Sequence, residues 1–163
     1  MSQEHSPQAM PSPDGAPVRR YVRFRVGREE YGADITRVQE IKVWEGVTRV
    51  PHTSKHMLGV LNLRGAIVPV IDLRVRFGVE HAPFEPTTIV VVVRVPRQSG
   101  ERTVGVVVDA VNEVQDIAER DIEPPPPLPA GSGDQLFITG IATCDERMIM
   151  LLDIDSLVNS AAG

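Results

Sequence analysis

GVLNLRGAIVPVIDL, residues 59–73, aligns without a gap with GIATCDERMIMLLDI, residues 140–154. In each copy a glycine opens the segment, an apolar run follows, and an aspartate comes near the end, at Asp72 and at Asp153. Self-similarity of this kind indicates two copies of one supersecondary unit, each too small to be stable alone. The repeat therefore predicts a two-lobed protein.

A second pair of matching segments lies upstream of the first. YGADITRVQEI (31–41) matches VGVVVDAVNEV (104–114), with a glycine, a valine and a glutamate in register. The copies differ at the turn, where LRGA in the first is replaced by CDER in the second. The second half also carries extra residues, including PPPPLP at 124–129, which favours a surface loop because proline interrupts both helices and sheet ladders. The framework is thus repeated, whereas its surface is not.

Short apolar segments bounded by turn residues predict a mainly β protein. Residues 21–26 alternate apolar and arginine side chains, as in a half-buried strand. The run at 87–95 is continuously β-branched and predicts a central strand buried on both faces. Further extended segments are predicted from residue 31 and at 47–51, 60–63, 67–73, 103–108, 137–143 and 147–152. Nine or ten short strands with glycine-bearing turns indicate small barrels.

Two or three short helices are expected between and after these strands. The spacing of three between Val38 and Ile41 favours a helical turn over 36–41, and 52–58 allows another. Asp153 is placed to cap a terminal helix that includes Leu157 and Val158.

Composition and charge exclude several functional classes. The formal net charge of -5, the pI of about 5.4 and only seven aromatic residues argue against a nucleic-acid groove. The single cysteine, Cys144, cannot form an internal disulfide, which indicates a reducing compartment. Residues 1–17 contain four prolines and lack the pattern of a secretory signal, and the longest aliphatic runs have five residues. We therefore expect a soluble, cytoplasmic protein with a disordered N-terminal tail.

Motifs for nucleotide or metal chemistry are not found. The chain has neither a P-loop pattern nor a G-x-G-x-x-G that opens a helix, so nucleotide binding is not expected. His52 and His56 are four residues apart, but no third metal ligand lies close in sequence. The serines do not lie in a G-x-S-x-G nucleophile motif. No cofactor and no metal are expected.

Three aspartates, Asp72, Asp109 and Asp153, each follow an apolar strand. Aspartate commonly ends a strand or caps the next element, and the duplication accounts for two of the three. Paired catalytic carboxylates, with Asp72 and Asp109 as acid and base of a hydrolase, are the alternative.

Asn62 and Arg64 are the residues that folding leaves unexplained. They project on the same strand face as Val60 at the start of a turn. Arg64 is either a solvated turn residue or an interface anchor, since arginine offers several directed hydrogen bonds and the second copy has Asp145 at the same position.

Seven ordered motifs between residues 21 and 157 resemble those of the CheW family of chemotaxis coupling proteins. They are EYG (30–32), VQEI (38–41), VTR (47–49), NLRG (62–65), IVPVIDLR (67–74), GVVVD (105–109) and RMI (147–149). The resemblance implies two SH3-like five-stranded β-barrel subdomains packed together, with a few short helices. It implies a CheW-like domain over 19–158, between tails at 1–18 and 159–163.

The resemblance also implies a protein without catalytic activity. Family members are adaptors that bind the cytoplasmic tip of methyl-accepting chemoreceptors and the regulatory domain of the histidine kinase CheA, and are thereby recruited to membrane-associated arrays. Matched by motif, the expected receptor-binding residues are Ile35, Val38, Glu40, Asn62 and Arg64. Val106 and Gly140 are the expected kinase-binding residues.

Other functions remain as alternatives at this point. One is a CheW-like scaffold of a twitching or gliding array, another is a small β-barrel that binds nucleic acid, and a third is the hydrolase described above. The acidic pI argues against the second and the absence of a convergent nucleophile or metal cluster against the third.

Overall fold

The computed structural model describes residues 15, 17–51, 56–80, 82–127 and 137–162. Strands dominate this part of the chain, which contains ten strands and two α-helices. In chain order the elements are β1 (Val18–Val26), β2 (Glu29–Asp34), β3 (Val38–Val43), β4 (Met57–Leu63), β5 (Ala66–Asp72), α1 (Leu73–Arg76), β6 (Ile89–Pro96), β7 (Glu101–Val108), β8 (Ala110–Ala118), β9 (Ile138–Cys144), β10 (Arg147–Leu152) and α2 (Ile154–Ala162). Short 3₁₀ turns occupy Ile35–Arg37 and Glu119–Asp121.

The strands form two five-stranded sheets. One sheet, called lobe 1, has the order β8-β1-β2-β10-β9, and the other, called lobe 2, has the order β3-β6-β7-β5-β4. If β1–β5 are the first copy of the repeat and β6–β10 the second, equivalent strands take equivalent places, because β8 corresponds to β3, β1 to β6 and β2 to β7. Each sheet therefore combines two strands of one copy with three of the other. The two-lobed, mainly β fold predicted from the sequence is confirmed.

The register repeats as well as the strand order. β10 runs parallel to β2 with Leu151 opposite Gly32, and β5 runs parallel to β7 with Val70 opposite Gly105. These four residues are the ones that the sequence alignment pairs. The repeat seen in the sequence is thus a repeat of strand pairing.

The hydrophobic core has three parts, and β6 belongs to two of them. Val91, Val93 and Val95 on one face of β6 join a core shared by both lobes. Val90 and Val92 on the other face fill the interior of lobe 2. A smaller group fills lobe 1 and consists of Tyr21, Ile117, Ala142, Ile149 and Leu151. The prediction that 87–95 is a central strand buried on both faces is confirmed, since alternate side chains of a strand point to opposite faces.

The aspartates that follow two strands are helix caps. Asp72 Oδ1 accepts a hydrogen bond from the backbone N–H of Arg74 at 3.0 Å, at the start of α1. Asp153 Oδ1 accepts one from the backbone N–H of Ser156 at 3.1 Å, at the start of α2. Both contacts satisfy helix N–H groups that have no partner within the helix. The capping interpretation is confirmed at both positions.

Several local predictions were wrong. The predicted helix over 36–41 is a 3₁₀ turn followed by β3, because pairing with β6 overrides the spacing of two apolar residues. The strand β8 was missed, since polar residues interrupt its apolar ones and only one of its side chains is buried. Residues 47–51 form only a bridge, between Thr48 and Val60. β1 begins at Val18 and α2 continues to Ala162, and the domain limits of 19–158 stay a prediction.

Some predictions fall on parts of the chain that are not described. Residues 1–14, 52–55 and 128–136 lie outside the described residues. The predicted tail, the helical turn that begins at His52 and the end of the proline-bearing loop are therefore largely untested. Among the described residues, no helix is both long enough and apolar enough to span a membrane.

Candidate functional site

Arg64 lies at the tip of the β4–β5 hairpin of lobe 2. Leu63 pairs with Ala66 on either side of the two-residue turn, and φ is +52° at Arg64 and +90° at Gly65. Two consecutive positive φ angles are the signature of the turn that best matches strand twist in a hairpin. Asp145 and Glu146 make the same turn in lobe 1, with φ of +52° and +66°.

Asn62 holds this turn in place. Its Oδ1 accepts a hydrogen bond of 2.8 Å from the backbone N–H of Gly65, across the residues that carry the positive φ angles. An asparagine side chain that bonds to the backbone of a turn stabilises that turn. Asn62 is exposed and therefore accessible to a partner, but its side chain also stabilises the turn.

Glu40 and Arg64, both expected in the site, are in contact. Arg64 Nη1 lies 2.7 Å from Glu40 Oε1, and the side chains are 72% and 20% exposed respectively. Glu40 belongs to β3 and Arg64 follows β4, and these strands are at opposite ends of the lobe 2 sheet. The ion pair therefore links the two edges of the sheet and presents a guanidinium group to solvent.

Ile35 and Val38 lie where the chain crosses from lobe 1 to lobe 2. Both are half-buried, and Val38 packs against the shared core. The crossover turn is fixed by Asp34, whose Oδ1 accepts hydrogen bonds from Thr36, and by a bidentate ion pair of Arg37 with Asp155 at 2.7 and 3.0 Å. The two aliphatic residues thus lie on an ordered segment between the lobes.

Sequence reasoning missed three exposed apolar residues of lobe 2. Ile41 and Val43 are 45% and 58% exposed on β3, and Ile67 is 64% exposed just after the Arg64 turn. A strand interpretation of 38–43 would have found two of them, because Ile41 and Val43 alternate with the charged Glu40 and Lys42. Single exposed apolar residues are common, and the alternation places Ile41 and Val43 on the face of β3 opposite Glu40.

The two residues expected to bind the kinase are buried. Val106 is 2% exposed and belongs to the shared core. A Cβ added at Gly140 would lie 2.5 Å from Ile122 Cγ2, so this glycine permits close approach of a neighbouring segment. Neither residue offers a side chain to a partner here, and the kinase-binding role assigned to them remains an untested prediction.

Lobe 1 contains an ion-pair cluster that sequence reasoning did not find. Glu30, on β2, pairs with Arg23 in the interior and with Arg147 at the surface, where Arg147 Nη1 lies 2.6 Å from Glu30 Oε2. The hydrogen bond from Arg23 and that from Arg147 hold the pKa of the Glu30 carboxyl below its ordinary value, although burial opposes them. The partners lie far apart in sequence, so local patterns carry no sign of the cluster.

Asp72 and Asp109 do not form an acid–base pair. They share Arg74, whose side chain is fully buried and forms hydrogen bonds of 2.9 and 3.0 Å with Asp72 and of 3.2 Å with Asp109. Burial lowers the pKa of Arg74, but both carboxylates oppose it and the net change is upward. These carboxylates are committed to a structural ion pair, which removes the observation behind the hydrolase interpretation.

In the described residues, no group of three or more histidine, cysteine, aspartate or glutamate side chains is placed to hold a metal ion. His52, one member of the pair considered from the sequence, lies outside them. Burial raises the pKa of the Cys144 thiol, which reduces its nucleophilicity at neutral pH.

A comparison with known protein families matches most of the chain. The model described as the CheW-like domain matches residues 20–162. The chain belongs to the CheW family. The match covers both lobes, including α2 to its last residue, and it runs beyond residue 158.

Curated and solved members of the CheW family are similar over nearly the whole chain. The chemotaxis protein CheW of Klebsiella aerogenes is 40% identical over 140 residues, which cover 86% of this chain and 81% of that protein. CheW of Rhizobium meliloti is 38% identical over 142 residues, with 87% and 88% covered. The crystal structure of the scaffolding protein TtCheW from Thermoanaerobacter tengcongensis superposes with a TM-score of 0.77 at 36% identity, and covers 96% of this chain and 92% of that one.

Proposed function

We propose that this protein is a non-catalytic adaptor that couples transmembrane chemoreceptors to the histidine kinase CheA in chemotaxis. Membership of the CheW family supports the general class, since several curated relatives carry the name chemotaxis protein CheW. The observation that carries the finer proposal is the exposed ion pair of Arg64 with Glu40 on lobe 2.

The geometry of Arg64 suits a binding anchor. Its side chain is 72% exposed, yet Glu40 and the Asn62-stabilised turn restrict its orientation. A side chain that is already ordered loses less conformational entropy on binding than a freely rotating one. Its planar guanidinium has five N–H donors, so donors remain for a partner after Glu40 is bound.

A receptor tip formed by a helical hairpin has matching chemistry. Such a tip presents an apolar stripe together with polar groups, which calls for aliphatic contacts beside an orienting charge. Ile35 and Val38, on the ordered crossover between the lobes, supply the aliphatic contacts, and Glu40, Asn62 and Arg64 supply the polar ones. The five residues form the proposed receptor-binding site.

The adaptor is proposed to work in the cytoplasm and to reach the membrane through its partners. Contacts of modest strength to both a receptor and a kinase are sufficient when many copies act in one array, because a second contact then forms at a high effective concentration. Membrane insertion of this chain is not part of the proposal.

A specific relative favours a second candidate function. Protein FrzA of Myxococcus xanthus is 29% identical over 145 residues, which cover 89% of this chain and 88% of that protein. The alternative is a CheW-like scaffold of a twitching or gliding array. The same lobes and the same site would serve it, and the receptor that binds would distinguish the two functions.

Titration against a receptor tip fragment tests the proposal. Arg64→Ala should weaken binding by about 2 kcal/mol, roughly 30-fold, because a preorganised anchor is lost. Its melting temperature should stay close to that of the wild type, since the side chain is largely exposed and surface ion pairs contribute little. Binding to the CheA regulatory domain should persist.

Asp145→Ala is the matched control. Asp145 has the same φ as Arg64 and occupies the same turn of the other lobe, so any general effect of changing this turn appears in both variants. The control should bind the receptor fragment almost normally. Normal binding by Arg64→Ala, or equal losses in the two variants, would remove Arg64 from the site.

A further inference from the structure

In the described part of the chain, two connections cross between the lobes, and each is tied to a helix by an ion pair. The crossover from lobe 1 to lobe 2, between β2 and β3, contains Arg37, which binds Asp155 of α2 at 2.7 and 3.0 Å. The crossover from lobe 2 to lobe 1, between β7 and β8, is Asp109, which binds Arg74 of α1 at 3.2 Å. Each helix partner is the second residue of its helix. The same arrangement of crossover and helix therefore occurs in both halves.

The two ion pairs have opposite polarity. If the alignment of the copies is continued by one residue, Arg74 stands opposite Asp155, and Asp109 aligns with Thr36, the neighbour of Arg37. The helix supplies the cation in the first copy and the anion in the second. Both charges are reversed while the pair stays in place, so attraction between crossover and helix is what the two halves have in common.

The helix α2 is a fixed anchor for Arg37. Leu157 and Val158 are fully buried in the core shared by both lobes. Asn159 Nδ2 donates a hydrogen bond of 3.1 Å to the carbonyl oxygen of Pro96, at the end of β6 in lobe 2. A helix that follows a strand of lobe 1 is thus held against lobe 2, and Asp155 near its start binds the crossover between the lobes.

The two ion pairs differ in burial. Arg74 and Asp109 are 0% and 16% exposed, and Asp109 also accepts a hydrogen bond of 2.7 Å from the backbone N–H of Gly27 in lobe 1. Arg37 and Asp155 are 35% and 31% exposed, and Arg37 lines two open clefts of about 240 and 190 Å³. An ion pair that water reaches contributes little to stability and opens at small cost, whereas breaking a buried pair is strongly unfavourable. We call the Arg37–Asp155 pair the outer ion pair.

The outer ion pair lies in the segment that carries the aliphatic part of the proposed receptor site. Arg37 stands between Ile35 and Val38 in sequence, and both of these are half-buried. We propose that Arg37 is a positioning residue, which through Asp155 holds the crossover in the conformation that presents Ile35 and Val38 to the receptor tip and does not itself touch the receptor. The inference rests on the proposed function. A crossover released from α2 must be ordered again when the receptor binds, and this entropy cost weakens the affinity.

Titration of a receptor tip fragment against Arg37→Ala, Asp155→Ala and the double alanine variant tests the proposal. Each single variant should bind about 5-fold more weakly than the wild type, and the double variant no more weakly than either, because both changes remove one interaction. The reversed pair Arg37→Asp/Asp155→Arg has the polarity of the first copy and should bind within about 2-fold of the wild type. Thermal melts of all variants should stay near the wild type, since the outer ion pair is partly exposed.

Asp116→Ala is the matched control. Arg20 also binds Asp116 through two nitrogens, at 2.7 and 3.4 Å, but this pair joins the neighbouring strands β1 and β8 of lobe 1. The control should bind the receptor fragment within about 2-fold of the wild type. Loss of receptor affinity in Arg37→Ala with normal binding by Asp155→Ala would overturn the proposal, because Arg37 would then contact the receptor directly. Additive losses in the double variant would also overturn it, as would a reversed pair that binds no better than the double alanine variant.

Hydrogen exchange of the free protein measures the outer ion pair without a partner. The backbone amides of residues 35–38 should exchange faster in both single variants than in the wild type and in Asp116→Ala, because the crossover is no longer held by α2. Unchanged exchange in Asp155→Ala would show that the pair does not hold the crossover. If the wild type did not bind the receptor fragment, the proposed adaptor function would fail, and exchange would still decide whether Arg37 orders the crossover.

Discussion

Replacing Arg74 by leucine should destabilise this protein more than any surface change. The Arg74 guanidinium is fully buried and bonds to Asp72 twice, to Asp109, and at 2.7 Å to the carbonyl oxygen of Pro83. Leucine removes all of these contacts and leaves the carboxylate of Asp72, only 3% exposed, without its counter-charge. The loss therefore combines missing hydrogen bonds with an unpaired buried charge.

The expected loss of unfolding free energy is about 3 to 5 kcal/mol, the range observed when one partner of a buried ion pair is removed. A domain of this size typically has a stability of about 5 to 15 kcal/mol, so the variant should fold but with a much smaller margin. At roughly 2 to 4 °C per kcal/mol, the melting temperature should fall by about 6 to 20 °C.

The single tryptophan supplies a local signal for the measurement. Phe84 lies over the Arg74 guanidinium at 4.8 Å and stacks on Trp44, with ring centroids 4.3 Å apart. Urea titrations followed by circular dichroism and by Trp44 fluorescence should both move to lower denaturant in Arg74→Leu. Arg94→Leu is the control, because that side chain is 51% exposed and its nearest carboxylate is 4.0 Å away, and it should stay within about 0.5 kcal/mol of the wild type.

A rescue variant separates the buried charge from the lost packing. Asp72→Asn in the Arg74→Leu background removes the unpaired charge and retains an oxygen that can cap α1, so it should recover at least about 1 kcal/mol. An Arg74→Leu protein within 1 kcal/mol of the wild type would refute the reasoning. So would a double variant less stable than Arg74→Leu alone.

Two further changes test the lobes separately. Because the pKa of Glu30 is held below its ordinary value, its ion pairs stabilise the fold above about pH 4.3, and this contribution is lost as the pH falls further. Glu30→Gln should therefore be less stable than the wild type at pH 7. In urea titrations the difference in unfolding free energy should shrink toward pH 3. A difference that stays constant with pH would contradict this. Gly59→Ala should lower the unfolding free energy by about 2 to 4 kcal/mol, since its Cβ would lie 2.1 Å from the carbonyl oxygen of Thr48. The clash would disrupt the paired hydrogen bonds between Thr48 and Val60. A thermal melt like that of the wild type would show that the segment around Thr48 moves aside easily.

Part of the candidate site could be read from the sequence. The turn at Arg64 repeats at Asp145, and Asn62 and Arg64 stood out because the repeated framework did not require them. That Glu40 reaches Arg64 followed only from the fold, since the two edges of the lobe 2 sheet must come together before these side chains can meet. The resemblance to a family implied a binding role for both residues, but no local sequence pattern indicated that they contact each other.

The two residues expected to bind the kinase were chosen from the sequence alone. Val106 and Gly140 belong to the repeated segments, and both are buried, because Val106 packs into the shared core and Gly140 lets Ile122 approach closely. Arg147 and Glu30 lie in the family-like motifs RMI and EYG, and only the parallel pairing of β10 with β2 brings them together. Burial and long-range pairing depend on the complete fold and are not encoded in any one segment.

The sequence by itself determined the two copies, the buried run of β6 and the aspartate cap of α2, because these depend on alternation and on neighbouring residues. Only the tertiary structure decided that the copies exchange strands, that β3 is a strand in spite of its helical spacing, and that the largely exposed strand β8 joins lobe 1. The reason is physical: a helix satisfies its backbone within one segment, whereas a strand takes its partners from wherever the chain brings them.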